Sequence, residues 1–302
     1  MKNWQKTLIK ISALTLLLSG CGSVNNQSSD KPQVVSTTTI IGDLTAQIAG
    51  DEINHSSILK AGEDPHIYEP VPQDNIILEE ADLIIYNGYN LEPNLIKQIY
   101  ATVKVAETLA VGEVVKPLDF EYEGQKAPDP HVWGDVSNVK IMAEAIRDEL
   151  IELYPVGEET FRNNTSSLLT ELSNLDEWIK TEIGQIPPDD RKLVTTHDAF
   201  QYYANAYGLE IPGTLIGIST EEQPSALTLR NLVETIKATN IKAIFAETTI
   251  NPALITTVAR EAGVKLANRE LYADSVGAEG SDADTYIKMM KTNTTTIVEA
   301  LK

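Results

Sequence analysis

Two of the four histidines in this 302-residue chain follow the same dipeptide. "EDPHIYEP" occupies residues 63–70 and "PDPHVWGD" residues 128–135, and in both an aromatic stands two positions after the histidine. Neutral imidazole is the commonest protein ligand for transition metals. Proline fixes its own φ and biases the preceding residue to extended backbone, so His66 and His131 each leave a rigid loop. A third histidine, His197, follows the strand-like "LVTT". The fourth, His55, lies within "NHSS" without that context and reads as structural. A divalent cation held by neutral imidazoles alone would keep two uncompensated charges, so a carboxylate is expected beside them. Glu247 in "FAETT" and Asp274 in "LYADSVG" both stand where a strand should end, and spacing alone does not choose between them. Asp198, next to His197, is expected to cap the following helix.

Loops so far apart in sequence meet only on a suitable frame. "QVVSTTTII" reads as a first strand and "DLTAQIAG" as a short helix closed by Gly50. "INHSSILK" is a second strand, "QDNIILEEA" a helix, "DLIIYNG" a strand and "EPNLIKQIYA" a helix. This alternation predicts βαβ units and a mostly parallel sheet. Residues 113–135, with Pro117, Gly124, Pro128 and Pro130, read as loop. "VSNVKIMAEAIRDELIELY" then spaces its apolar residues at three and four, and Pro155 ends it. Residues 158–183 continue the helical period; at 1.5 Å per residue that helix is about 39 Å long. Past it the first texture returns. "KLVTTHDAF" reads as a strand running into a helix that "YYANAYGL" ends at Gly208; "IKAIFAETT" and "VKLANRELY" read as strands, and "NPALITTVAREAG" and "ADTYIKMMKTNTTTIVEAL" as helices.

The predicted fold is therefore α/β with two lobes, each a mostly parallel sheet flanked by helices, joined by one long rigid helix. The divisions are a first lobe over 33–135, a helical region over 136–184 and a second lobe over 185–302. In open parallel sheets ligands bind at the carboxyl ends of strands, so loops from both lobes should meet in a cleft.

Composition narrows the function. Hydrophobic content of 42% and charged content of 23% are those of a globular domain. A net charge of −20 argues against nucleic acid as partner, since phosphate binding needs basic stripes. Residues 1–20 begin with three lysines and continue into the short apolar run "ISALTLLLSG", a secretory signal. Cys21 is the chain's single cysteine and follows at once, so no intrachain disulfide forms. "LSGC" resembles the bacterial lipoprotein signal, in which the cysteine carries the lipid. Residues 21–32 then read as a tether, and anchoring rather than spanning is expected.

Taken together, the lipoprotein signal, the paired "DPH" loops, the long helix, "TTHDAFQYYANAYGL", "LYADSVG" and "DTYIKMMKTNTTTIV" resemble the metal-receptor lipoproteins of bacterial manganese and zinc ABC importers (the cluster A-I, or cluster 9, solute-binding proteins). The likeness covers residues 33–302. It implies one metal ion between the lobes, held by His66, His131, His197 and Asp274. It is the resemblance that prefers Asp274 to Glu247. Glu247 then becomes a carboxylate that orients an imidazole, or an ordinary surface or helix-capping residue. The resemblance further implies capture outside the cytoplasmic membrane by a lipid-anchored monomer and delivery to an ABC permease driven by a cytoplasmic ATPase, with no bond chemistry. As cargo, Mn²⁺ stands slightly ahead of Zn²⁺. Three nitrogens and one carboxylate suit zinc, but "PLDFEYEGQKAP" lacks the histidines that zinc receptors of this type often carry there. Two rival classes are a metallohydrolase with Glu247 as general base, and a surface adhesin that would not need the histidines.

Overall fold

The first half builds a regular parallel sheet. The computed structural model describes residues 31–102, 104–122 and 125–302. The signal segment 1–20, Cys21 and most of the tether lie outside them. Strands β1 (Gln33–Ser36), β2 (Asn54–Ser57), β3 (Leu83–Tyr86) and β4 (Glu107–Ala110) lie in the order β2-β1-β3-β4, all parallel. Helices α1 (Thr39–Ala49), α2 (Pro72–Glu79) and α3 (Pro93–Thr102) connect them. The β-branched run after Gln33 does not remain a strand. Thr38 stands in extended backbone and its hydroxyl accepts from Ile41 N, so the helix starts at Thr39, inside the predicted strand.

Residues 113–135 are more than loop. They contain an antiparallel hairpin, β5 (Asp119–Tyr122) with β6 (Gln125–Pro128), and a turn of 3₁₀ helix after His131. Helices α4 (Val136–Leu153) and α5 (Glu158–Ile183) follow, and α5 fills the predicted span. It is not a free-standing strut. Phe161, Thr165, Leu168, Leu172, Leu175, Ile179 and Ile183, at spacings of three and four, bury one face along its length. That face packs on α1, α4 and α9 (Tyr286–Leu301), so the long helix contacts elements from both halves of the chain.

The second half is less regular. Helices α6 (Gln201–Tyr207), α7 (Ala226–Thr239) and α8 (Ala253–Ala262) surround strands of only two residues, β7 (Ala243–Ile244) and β8 (Lys265–Leu266), which pair in parallel. The segment 192–197, expected to be a strand, makes scattered backbone bonds, among them a bridge at Lys192 and a bond from Phe245 N to Val194 O, without a regular ladder. Between the Ala243–Lys265 and Glu247–Leu271 pairings, two extra residues on the second segment break the ladder. Helix α7, which the strand-and-helix reading leaves unassigned, starts at a Ser225 cap and buries Leu232, Val233 and Ile236.

Three apolar clusters hold these layers. One is on the outer side of the first sheet, around Val35, Ile84 and Leu95. One is in the second half, around Val194, Ile244 and Val258. The largest runs from Val34 through Trp133, Phe161 and Tyr203 to Leu301. Each such side chain contributes about 1.5–3 kcal/mol on burial. This shared core, spanning both halves, resists wide rotation of one half against the other. The predicted α/β class, with parallel sheet, flanking helices and a long helix between, is the fold found.

Candidate metal centre

The Asp-Pro-His echo has a local explanation. In each loop the histidine N–H donates to the aspartate side chain two residues before it, His66 N to Asp64 Oδ1 over 2.9 Å and His131 N to Asp129 Oδ1 over 3.0 Å. This is an Asx turn, and the proline between the two residues stiffens it. The loops then use their aromatics differently. Tyr68 OH donates to Asp74 Oδ2 at the start of α2, over 2.9 Å. Trp133 Nε1 donates to Ala273 O over 3.0 Å, which ties the His131 loop to the residue before Asp274.

The second half delivers its side chains from segment ends. His197 closes the extended run after Leu193, and Asp274 lies three residues past the Leu271 bridge. The structure brings His66, His131, His197 and Asp274 together, one nitrogen or oxygen of each within 4.8 Å of all the others. All four are buried. His66 Nε2 lies 3.2 Å from His131 Nε2. Asp274 Oδ1 is 3.5 Å from His131 Nε2, and Asp274 Oδ2 is 3.3 Å from His197 Nε2 and 3.9 Å from His66 Nε2. None of these carboxylate contacts is aligned as a hydrogen bond, so both Asp274 oxygens and His197 Nε2 are buried without one.

Carboxylates behind the imidazoles set their tautomers. Asp129 Oδ1 is 2.8 Å from His131 Nδ1, and Glu247 Oε2 bonds His197 Nδ1. A carboxylate at Nδ1 holds a proton there, so in the neutral ring the Nε2 lone pair faces inward. Glu247 Oε1 also accepts from His197 N over 2.8 Å. With both oxygens committed to one histidine, Glu247 is neither a surface nor a capping residue, and it is not free to act as a general base. Asp129 is the functional residue that spacing and residue type missed. Its signal was the aspartate of the repeated tripeptide itself, read for its proline and not for its carboxylate.

Two other residues fall elsewhere. Asp198 does not cap α6. Phe200 occupies the cap position, and Asp198 Oδ1 accepts from Gln201 Nε2 over 2.8 Å. His55 stays structural, its Nε2 2.9 Å from Ser36 Oγ on the neighbouring strand.

The electrostatics favour a cation. Burial pushes the His66 imidazole down to about 3, so it is neutral at ordinary pH. Burial acts the same way on His197, but the carboxylates of Glu247 and Asp274 outweigh it and raise its pKa well above the ordinary value. Burial opposes the Asp274 charge, yet the three imidazoles around it hold its pKa below the usual carboxylate range. The His131 Nε2 lone pair, beside a buried carboxylate whose oxygens accept no hydrogen bond, favours positive charge at their centre. A divalent ion meets that need.

A family model described as ZnuA, zinc-uptake complex component A periplasmic, matches residues 34–300. The manganese-binding lipoprotein MntA of Halalkalibacterium halodurans is 35% identical over 294 residues, 96% of each chain. The manganese ABC transporter substrate-binding lipoprotein PsaA of Streptococcus anginosus is 33% identical over 299 residues, again 96% of each. Among solved structures, the periplasmic zinc-binding protein TroA of Treponema pallidum superposes with a TM-score of 0.85 at 31% identity, over 90% of this chain and 99% of that one.

Proposed function

The chain belongs to the family of periplasmic zinc-uptake component A proteins, and from that premise we propose that His66, His131, His197 and Asp274 carry one divalent ion, manganese ahead of zinc. The protein is the metal-binding receptor of an ABC importer and not an enzyme. The observation that carries the proposal is the convergence of four buried donor atoms within 4.8 Å. The ion is cargo. Coordination holds it outside the cytoplasm until a permease, powered by its ATPase, accepts it.

Manganese prefers oxygen and a higher coordination number than zinc. Both Asp274 oxygens lack hydrogen bonds, so a bidentate carboxylate would add a fifth donor to three nitrogens and one oxygen. The absence of histidine from residues 117–128 and the manganese names of the two relatives support the same reading. Zinc should still bind more tightly in isolation, by the usual divalent series. The carried metal therefore follows supply, and affinity alone does not reveal it. Cys21 would bear the lipid that keeps this monomer at the membrane. Among the described residues no helix is long and apolar enough to cross one.

Elemental analysis of protein purified from its native envelope tests the proposal. One equivalent of manganese is expected. One equivalent of zinc would overturn the choice of metal, and no bound metal would overturn the receptor reading.

A further inference from the structure

Of the four proposed ligands, His66 is the one that borders open space. A cavity of roughly 510 Å³ lies beside it, walled by Tyr89, Phe120 and Pro130 from the first half and by Ile218 and Glu221 from the second. His131 and His197 are fully buried and Asp274 is 1% exposed. An ion moving between the cavity and the four donors therefore passes His66.

The loop that carries His66 is pinned twice by the second half of the chain. Gly62 N donates to Ser275 Oγ over 2.9 Å, next to Asp274. Thr220 Oγ1 donates to Asp64 Oδ2 over 2.6 Å, and the other oxygen of that same carboxylate accepts the His66 N–H. One aspartate thus links the backbone of His66 to a hydroxyl in the stretch that builds the far wall of the cavity. The matching aspartate of the other loop makes no such link, because Asp129 Oδ2 is buried without a hydrogen bond. Thr220 lies in the same stretch as Ile218 and Glu221, so it moves with that wall. Separating the wall from the His66 loop requires breaking the Thr220–Asp64 bond.

We propose that Thr220 and Asp64 form a latch across the mouth of the site, and that it sets how fast the ion leaves. The inference rests on the proposed ligand set, of which His66 is the member that lines the cavity. While the bond is closed, His66 stays over the ion. When it opens, the loop carries His66 away and the remaining three ligands face the cavity. Thr220 is a positioning residue; it does not touch the ion.

The test is chelator-driven release, followed by stopped flow, from the full chain loaded with Mn²⁺ and separately with Zn²⁺. Thr220→Val removes the hydroxyl in a half-buried loop where the isosteric side chain fits. It should speed release about tenfold, the worth of one partly exposed hydrogen bond to a carboxylate, without slowing metal uptake. Thr220→Ser keeps the donor and should restore the wild-type rate. Release from Thr220→Val at the wild-type rate overturns the latch and leaves the receptor reading standing. Equal acceleration in Thr220→Ser and Thr220→Val overturns it as well, since the hydroxyl would then not be the cause. Wild-type protein that retains neither ion through gel filtration overturns the ligand assignment and the latch together.

Discussion

His66 and His131 follow the same Asp-Pro dipeptide and make the same turn, but their surroundings differ. Around His131 the loop is tied from several sides. Asp129 bonds both its backbone and its Nδ1, Tyr202 OH donates to Asp129 O over 2.8 Å, and Asn87 Nδ2 donates to Pro130 O over 2.9 Å. Behind Asn87 stands Glu92, fully buried, accepting from Asn87 N over 2.7 Å and from Thr37 Oγ1 over 2.8 Å. Around His66 there are the turn, a cavity and two bonds that pin its loop, one to Thr220 and one to Ser275. A repeated tripeptide therefore encodes the turn alone. Whether the histidine becomes a fixed or a movable donor is decided by what packs behind it, and those residues are scattered through the chain.

The comparison breaks most visibly if the ligands are removed. Asp274→Ala takes away the one charged donor and should weaken metal binding at least a hundredfold in calorimetry. His131→Ala should cost more affinity than His66→Ala, although each loses at least about tenfold, because the His131 site cannot rearrange. Equal losses would mean that the two loops are equivalent.

Removing the supporting carboxylates sharpens the contrast. Asp129→Asn should cost roughly ten- to a hundredfold in affinity, since the His131 tautomer is no longer fixed. Asp64→Asn keeps an oxygen for the turn but loses the acceptor for Thr220, and should cost only the roughly tenfold expected of Thr220→Val.

Acidification should act through His197. Its folded pKa is raised, so at pH 7 the ion must displace a proton there, and affinity should fall about tenfold per unit as pH drops. Calorimetry in buffers of different ionisation enthalpy counts that proton. Glu247→Gln should reduce the count, because the carboxylate that holds the proton is gone.

The smallest effect on the ion is expected from Glu92→Gln, which should show instead in metal-free stability. Burial pushes Glu92 up to about 7. Between its unfolded value near 4.5 and that folded value the native state holds the extra proton, so stability falls as pH rises through this window. The loss is on the order of 2–3 kcal/mol. Urea unfolding at pH 5 and pH 7 should show that slope in the wild type and not in the variant.

Much of the frame was legible because it is local. The 3–4 spacing of apolar residues delimits α5, Gly208 and Gly263 close α6 and α8 in left-handed backbone, and the β-branched runs mark the first sheet. The hairpin of β5 and β6 was not, because "DFEYEGQKAP" shows no sustained apolar alternation. The second-half strands were overestimated, since composition does not reveal the two inserted residues that interrupt their pairing. At the site, chemistry and spacing singled out His66, His131 and His197 and left Asp274 and Glu247 tied; family likeness broke the tie. Asp129 and Thr220 act through partners distant in space or through a second use of a residue already assigned, and residue type does not encode such roles.

The most direct test is anomalous diffraction at the metal edge from crystals of the metal-loaded protein. The account predicts a single peak bonded to Nε2 of His66, His131 and His197 and to one or both oxygens of Asp274, with Asp129 and Glu247 still on the Nδ1 atoms behind. A peak anywhere else, or one that leaves out any of the three imidazoles, would contradict it.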